Sequence, residues 1–469
     1  METPRPERQP DDLPSDAGAT GAARSAPGTT PVLPSGRLNE TFRALKHRNY
    51  RLFYVGQAIS LSGTWMQTIA QAWLVLEITD SRVALGTVTL LQFLPITLFV
   101  LVAGVLADRV PKRSFLVGTQ VLAMAQAAVL SALVFTGQVE LWHVYVLAFV
   151  LGLSVAFEQP TRQAFAIELV GKDDLMNAVA LNAGLFNGAR LVGPAIGGVI
   201  IAVAGVETAF LINAVSFVPV IAGLMMMRMS EMHTVERRTS SRVNPLPELA
   251  EGLSYVVRTP ASLMIMIMVA FIGTFGFNFV VFLPLLARYV LDTGSEGLGF
   301  LTAAMGLGAF SAAMFLAGNR TTSVRTLFAG AVAFGIFLGL VALSTNLYLT
   351  LLFLLFFGFA STSFAATANT SLQIAAPDHL RGRVMSVFML LIAGSTPIGG
   401  FLTGFMAEHL GTQTAVGILA GACGGGVLLG GLYYTTHRLE VERTADASLL
   451  AGLPTGQAGA AATGGSTPA

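Results

Sequence analysis

A short charged loop between two long apolar runs carries the clearest pattern of interacting side chains in the sequence. It reads GVLADRVPKRSFL, starting at Gly104. Gly104 lets two helices touch, and Asp108 can sit against the positive N-terminus of a helix, where an anion gains about 0.3–1 kcal/mol. Arg109, Lys112 and Arg113 can bind acidic groups or carbonyls at a helix C-terminus. These residues predict a gating latch between the two halves of the molecule that holds its cytoplasmic side shut, and the alternative is a cytoplasmic loop whose charges only set topology.

Glu158 and Arg162 are candidates for the same latch. They are four residues apart near the end of an apolar run, in the order that favours an ion pair on one helix face. Glu158 either makes this local salt bridge or meets Arg109 or Arg113 in the loop. Partial burial raises the pKa of a carboxyl group, so Glu158 is also the first candidate for proton coupling.

A polar stripe runs along the first apolar segment, GQAISLSGTWMQTIAQAWLVLEITDS. Ser60, Thr64, Gln67 and Gln71 recur at helical spacing on one face. A polar face in lipid must meet protein or water. We favour a substrate cavity lined by Thr64, Gln67 and Gln71, and hydrogen bonding between helices is the alternative.

Arg190 is the one charge well inside an apolar run, about 20 Å deep at 1.5 Å per residue. Charges at this depth are expensive and usually functional. Arg190 can bind an anionic substrate or hold a carboxylate in position, and the alternative is a structural ion pair or carbonyl cap. Asn278 is a further candidate for the cavity, from the second half of the chain.

The Gly193-Pro194-x-x-Gly197-Gly198 segment lies in the same run as Arg190. Proline frees a backbone carbonyl and kinks a helix, and glycines permit close helix packing. Such a helix can pivot and can keep a pathway from leaking. Ordinary packing between helices is the alternative.

No pattern for catalysis, a cofactor or a metal is visible. There is no Gly-x4-Gly-Lys-Ser/Thr loop, so direct use of ATP is not expected. The single cysteine, Cys423, is expected to be a packing residue. Six histidines are scattered without metal spacing: His47, His143, His233, His379, His409 and His437. A polytopic membrane enzyme or receptor is therefore the less favoured functional class.

The elements that hold these residues must be membrane helices. The chain has 469 residues, 54% hydrophobic and only 11% charged, whereas a soluble domain carries about 25% charged residues. Lipid is the solvent that tolerates such a surface. About 20 apolar residues cross the hydrocarbon core, and the apolar runs fit twelve such helices, two of them within the uncharged stretch Thr326–Pro377, broken at Ser344–Asn346.

The basic residues orient these helices. With both termini inside, 24 of the 27 Lys and Arg residues lie on the cytoplasmic side, and the exceptions are Arg82, Arg190 and Arg288. This asymmetry is the one that the positive-inside rule describes. The sequence therefore predicts a multi-pass protein of the cytoplasmic membrane with both termini in the cytoplasm.

A charged segment between two sets of six apolar runs indicates duplication. Pro194-Ala-Ile-Gly-Gly in the fifth run has a counterpart in Pro397-Ile-Gly-Gly in the eleventh, and parallel six-helix repeats are a transporter architecture. Chance likeness of apolar sequence is the alternative. The predicted parts are a disordered cytoplasmic tail (1–41), a six-helix bundle (42–228), a cytoplasmic linker (229–258), a second bundle (259–436) and a second disordered tail (437–469).

These motifs resemble those of the major facilitator superfamily. The Gly104 loop is similar to its loop signature, with Pro111 where the superfamily usually has glycine, and the Gly193 motif is similar to its antiporter signature. The first run, with Leu380-Arg-Gly-Arg-Val384, resembles the branch of the enterobactin exporter and macrolide efflux proteins. The resemblance implies an all-α fold of twelve transmembrane helices in two pseudo-symmetric six-helix bundles.

The function implied by this resemblance is export of a small amphipathic molecule (a drug, macrolide or siderophore) by alternating access. Proton coupling is implied by the family and not by any residue. The expected partners are the substrate, protons and membrane lipid, with no nucleic acid and no cofactor. An importer or a lipid flippase on the same fold is the alternative within transport.

Overall fold

The computed structural model describes residues 42–233, 245–318, 323–377, 379–392 and 394–441, which form helices and short connections with no β-strand among them. Without water, backbone groups in an apolar run are satisfied internally only in helices or closed barrels. The all-helical class is therefore confirmed. The predicted tail at 1–41 and most of the tail at 437–469 lie outside the described residues.

The first six spans occupy five continuous helices. The fifth of these is 51 residues long and holds two spans, which meet at Gly205, where φ is 82°. Glycine adopts this left-handed value without a Cβ clash, so the chain turns there without a loop. The helices are Arg48–Thr79, Arg82–Arg109, Lys112–Phe135, Leu141–Val170 and Leu175–Met225.

Two of the remaining six spans are interrupted. The seventh contains a π-helical turn at Ile272–Gly276, and the eleventh breaks between Ile392 and Thr396. The predicted break before the tenth span is confirmed, because Asn346 Oδ1 accepts hydrogen bonds from two backbone N–H groups there. The helices of this half are Pro260–Phe271 with Phe279–Tyr289, Gly294–Gly318, Val324–Leu343, Leu347–Ala375, Arg381–Ile392 with Thr396–Leu410, and Thr412–Thr436.

The described residues contain twelve spans. Ten helices are long and apolar enough to cross a membrane by length and composition. Leu175–Met225 counts once among them although it holds two spans. Arg48–Thr79 is not among them, although it is 32 residues long, because polar side chains recur along it. One more helix, Pro245–Arg258, precedes the seventh span.

Apolar side chains form both the interior and the outer surface of the protein, as expected for a chain surrounded by lipid. Fully buried aromatic side chains fill both halves, among them Phe165 in the first and Phe364 in the second. Large apolar side chains also cover the outside, where Val203 is 81% and Leu343 79% exposed. Since such a surface would be unfavourable in water, these positions face the hydrocarbon core.

Contacts between the halves follow two helix pairs: the fifth span lies against the eighth, and the second against the eleventh. Glycines bring the backbones together. A Cβ added at Gly198 would lie 2.7 Å from the Cα of Gly299, and one added at Gly404 would lie 2.9 Å from the Cα of Gly86. These pairs position the candidate site.

Candidate substrate pathway and its gates

The basic residues that begin the third span are held by their own half of the molecule. Lys112 Nζ lies 2.7 Å from a carboxylate oxygen of Glu168 on the fourth span. Arg113 donates from Nε to the carbonyl of Leu224 (2.6 Å) and from Nη2 to that of Met225 (2.7 Å). These carbonyls lie in the last turn of the sixth span, where the helix dipole favours a cation. The expected carbonyl contact is present, and it is made within one bundle.

The other latch candidates divide into two groups. The Nε of Arg162 lies 3.5 Å from a carboxylate oxygen of Glu158, and both side chains are largely buried. The expected contact between Glu158 and Arg113 is absent, since Arg113 is bonded to the sixth span. The surroundings of Gly104 and the side chains of Asp108 and Arg109 lie outside the described part of the structure.

Asp174 is the centre of an ion cluster that the sequence analysis missed. It is 3% exposed and is bound by Arg43, by Lys46 Nζ at 2.9 Å and by His47 Nε2 at 2.8 Å. The hydrogen bonds from His47, Lys46 and Arg43 hold the pKa of its carboxyl well below the usual range. The cluster ties the start of the first span to the start of the fifth. The sequence signal that could have revealed the cluster is the basic run Arg43–His47 before the first span together with the acid pair at 173 and 174 before the fifth.

The Gly193 motif packs the fifth span against two neighbours. A Cβ at Gly193 would lie 2.5 Å from the carbonyl oxygen of Ser62, and one at Gly197 would lie 2.9 Å from Met66 Cγ, both on the first span. Gly198 instead faces Gly299 on the eighth span, in the other half. Pro194 lies between these contacts and is buried. The motif therefore occupies the junction of the two halves.

The polar stripe of the first span faces the inside of its own bundle. Gln67 is fully buried, donates to Gln126 Oε1 (2.9 Å) and accepts from Asn213 Nδ2 (2.5 Å). Gln71 is 3% exposed and donates to Gln92 Oε1 at 3.1 Å. The prediction that these two line a substrate cavity is not met in this structure. The alternative, hydrogen bonding between helices, accounts for both.

The two other cavity candidates on regular spans differ in their surroundings. Thr64 is half-buried and its hydroxyl donates to the carbonyl of Ser60 at 2.9 Å. Arg190 is half-buried, and its guanidinium carbon lies 4.2 Å from the ring centre of Phe279 and 5.7 Å from that of Trp65. Its Nε is buried without a hydrogen-bond partner. Cation–π contacts contribute about 0.5–2 kcal/mol, less than the cost of about 2.5–3.5 kcal/mol for a charge at this depth.

Asn278 lies at the break in the seventh span. It is 1% exposed, and its Nδ2 donates to the carbonyl of Thr274 at 2.7 Å. Its Oδ1 has no hydrogen-bond partner among the described residues. A Cβ at Gly399 would lie 2.8 Å from this oxygen, so the eleventh span covers it. Asn278 is therefore buried between helices in this conformation.

An ion cluster joins the halves at the end opposite the connection between the second and third spans, residues 110–113, which we call the Lys112 loop. Asp80 follows the first span and accepts from Arg288 Nε (3.1 Å), Arg288 Nη2 (3.0 Å) and the Tyr289 hydroxyl (2.9 Å), all on the seventh span. The hydrogen bonds from Tyr289 and Arg288 lower the pKa of the Asp80 carboxyl. Glu408 adds a second link, since its carboxylate accepts from the backbone N–H of Arg82 at 2.7 Å.

The described hydrogen bonds between the halves run from the middle of the spans to this end. Thr97 lies 3.5 Å from the Gly394 carbonyl near the middle, and Leu191 packs on Gly306 at similar depth. Beyond these contacts lie Gly198 and then the Asp80 cluster.

A small apolar cavity lies just inside the end at which the Asp80 cluster joins the halves, which we call the closed end. It measures about 20 Å³, room for about one water molecule. Side chains of both halves line it, among them Trp65 and Pro194 from the first and Phe279 and Thr302 from the second. In this conformation the cavity is therefore too small for an organic molecule.

Residues 39–457 match the model of the transmembrane secretion effector family of the major facilitator superfamily. The chain belongs to this family. The match spans all twelve helices, and it confirms both the resemblance on which the sequence analysis relied and the two-bundle fold. The protein is a multi-pass membrane transporter and not an enzyme.

Curated relatives cover most of the chain. The staphyloferrin A transporter of Staphylococcus aureus is 27% identical over 79% of this chain and 92% of its own length. The multidrug efflux pump Tap of Mycolicibacterium fortuitum is 27% identical over 75% and 87%. Macrolide efflux protein A of Streptococcus pyogenes is 23% identical over 78% and 92%.

Solved structures share the fold at low identity. The nucleoside transporter NupG superposes with a TM-score of 0.65 at 12% identity, covering 83% of this chain and 100% of that one. A bacterial homologue of ferroportin, solved in an inward-facing state, gives 0.60 at 17% identity, covering 83% and 98%. At such identities the likeness extends to the fold alone.

Proposed function

We propose that this protein is a secondary active exporter that moves a small amphipathic molecule out of the cytoplasm by alternating access. The observation that carries the proposal is the contact between the halves at one end, where the Asp80 cluster and the Gly198 junction join them. A site at the midplane is then reachable from one side at a time. Relatives named as a multidrug efflux pump and a macrolide efflux protein support export.

We further propose that the end carrying the Lys112 loop is cytoplasmic, with both termini on that side. The basic residues support this orientation, since Arg82 and Arg288 are the two placed outside among 27. With the halves joined at the Asp80 end, this conformation is the one that loads an export substrate from the cytoplasm. The charged segment 229–258 is the linker that lets the bundles 42–228 and 259–436 rock against each other.

Proton antiport is the energy source that we propose. The chain lacks a nucleotide-binding loop. Glu158 is the candidate proton carrier, because it is largely buried near the open end and its pairing with Arg162 is loose at 3.5 Å.

The test uses inverted membrane vesicles from cells that express the protein, with matched vesicles that lack it. A pH gradient, acid inside, is imposed, and uptake of ethidium, a labelled macrolide and a catecholate siderophore is followed. We expect gradient-dependent accumulation of at least one compound, abolished by a protonophore. Equal uptake in both vesicle types for every compound would contradict export.

An importer or a lipid flippase on the same fold is distinguished by direction and cargo. An importer would accumulate its substrate in right-side-out vesicles with the gradient reversed. A flippase would move a fluorescent phospholipid between leaflets of proteoliposomes and leave the soluble compounds untouched. Either result, with no accumulation in inverted vesicles, would replace the exporter assignment.

A further inference from the structure

Arg190 lies at the inner limit of the contact between the halves. It is 15 residues after Leu175, the start of its helix, and 15 before the break at Gly205. Its neighbour Leu191 packs on Gly306 of the eighth span, and Pro194 and Gly198 continue that contact toward the closed end. Arg190 therefore borders the contact between the halves, on the side where the proposed function places a gap between them.

No acidic side chain compensates this charge in the described part of the chain. The Nε is buried without a hydrogen-bond partner, and no ion pair to Arg190 is present there. Among the acidic residues of the described spans, Glu158 already pairs with Arg162. The others lie away from the midplane: Glu77 and Glu168 near span ends, and Glu207, Glu296 and Glu408 toward the closed end. The two roles that require a protein carboxylate, a structural ion pair and the positioning of an acid, thus find no support.

The surroundings of the guanidinium are aromatic and come from both halves. Trp65 belongs to the first span and Phe279 to the seventh, and both rings also line the small apolar cavity. Weakly hydrated guanidinium groups stack on ring faces and keep their N–H edges free for an anion. A carboxylate that approaches from the gap would find the N–H donors, and the part of the molecule next to it would lie against the two rings.

We propose that Arg190 binds an anionic group of the transported molecule, for which a carboxylate is the example to be tested. Trp65 and Phe279 contact the apolar part of the molecule next to that group. The substrate class is then an amphipathic organic acid. This inference rests on the proposed transport function and narrows its substrate. Because the ligand touches both halves, its binding is sensitive to their separation, as alternating access requires.

The experiment compares an aromatic acid with its amide, a pair of nearly equal shape that differs in charge. Purified protein in liposomes is tested with naphthylacetate and naphthylacetamide, by ligand-induced rise in unfolding temperature and by counterflow of labelled compound. The variants are Arg190→Gln and Arg190→Lys. Arg228→Gln is the matched control, because Arg228 is exposed and pairs with Glu231 outside the membrane.

We expect the wild type and the Arg228→Gln control to bind the acid at least about tenfold more tightly than the amide, as suits a charge-assisted hydrogen bond. Arg190→Gln should lose this preference while amide binding stays unchanged, and Arg190→Lys should keep part of it. An acid preference that survives in Arg190→Gln would overturn the inference. So would equal loss of acid and amide in a folded variant, which would make Arg190 structural.

The failure of the inference is separable from failure of the proposed function. Wild-type counterflow of the amide without preference for the acid would remove the anion site and leave a transporter of another substrate class. Absence of counterflow for both compounds, together with absence of uptake for the dye, macrolide and siderophore above, would remove the transport proposal and the anion site with it.

Discussion

Replacing Gly198 with alanine should shift the resting conformation toward the state that opens at the Asp80 end. A Cβ at this position would lie 2.7 Å from the Cα of Gly299 and 2.9 Å from the carbonyl oxygen of Ser295. Both atoms belong to the backbone of the eighth span. No rotamer change relieves the collision, so the helices must move apart.

The size of the shift follows from the cost of overpacking, which is about 1–3 kcal/mol for an added methyl group in a tight interface. At about 1.4 kcal/mol per factor of ten, the ratio of the two conformations should change by about 5- to 150-fold. The collision exists only while the two halves touch. The packing inside each bundle is unaffected, and the unfolding temperature should therefore stay close to that of the wild type.

Pulsed electron spin resonance measures the change directly. Spin labels replace Val203 and Leu343, exposed residues near the closed ends of spans in opposite halves, in a Cys423→Ser background. The Gly198→Ala variant should move population from the short to the long distance. Gly188→Ala is the matched control, because it lies in the same helix and its Cβ would meet nothing within 4 Å.

Two results would refute this reasoning. If the distance distribution of Gly198→Ala matched that of the wild type, the closed contact would not be the resting state in a membrane. If Gly188→Ala shifted the distribution as much, the effect would come from helix propensity and not from the collision with the eighth span.

Four other changes test the pathway. Gln67→Leu leaves two buried amide partners unsatisfied at about 1–3 kcal/mol each, so the unfolding temperature should fall by several degrees; an unchanged temperature would contradict the buried network. Asp80→Asn should lengthen the same label distance at neutral pH. The lowered pKa of Asp80 keeps its carboxyl group ionised even at the usual pKa of 3.8, so its contribution to the closed contact is present above pH 3.8 and is lost only as the pH falls below that value. If the wild type opened at about pH 5 and this opening depended on Asp80, the prediction would be wrong. Glu158→Gln should abolish flux driven by a pH gradient while exchange without a gradient persists, and intact gradient-driven flux excludes it as the proton carrier. Asp108→Asn should slow transport without lowering membrane abundance, and wild-type flux in that variant would remove the latch.

Much of the fold could be predicted because few backbone conformations satisfy all their hydrogen bonds in lipid. Apolar length fixed the spans, and the Ser344–Asn346 break was recognisable because Asn346 is a good N-cap. Glu207, the one charged residue in the stretch 191–227, marks the boundary between the fifth and sixth spans, but the sequence does not show that the chain turns there at Gly205 within one continuous helix. The π-helical turn at Ile272–Gly276 depends on how the seventh span packs, which local sequence does not encode.

The polar stripe shows why the site was harder to predict than the fold. Periodicity establishes that Gln67 and Gln71 share one face, and that this face avoids lipid. It does not say whether water or another helix meets that face. Gln126 and Asn213, which satisfy Gln67, lie 59 and 146 residues away along the chain and are unremarkable in sequence. Arg190 was easier to find, because a lone charge at such depth needs an explanation in any fold.

The contacts of the Lys112 loop narrow what a latch at the open end can consist of. Arg113 holds the last turn of the sixth span, and Lys112 holds Glu168 on the fourth. Both partners belong to the same bundle as the loop, so these bonds can survive when the halves rock. They fix the loop to its bundle and do not themselves join it to the other one. We propose that the contacts of a latch that break in every transport cycle fall to the two charged residues just before the loop, Asp108 and Arg109.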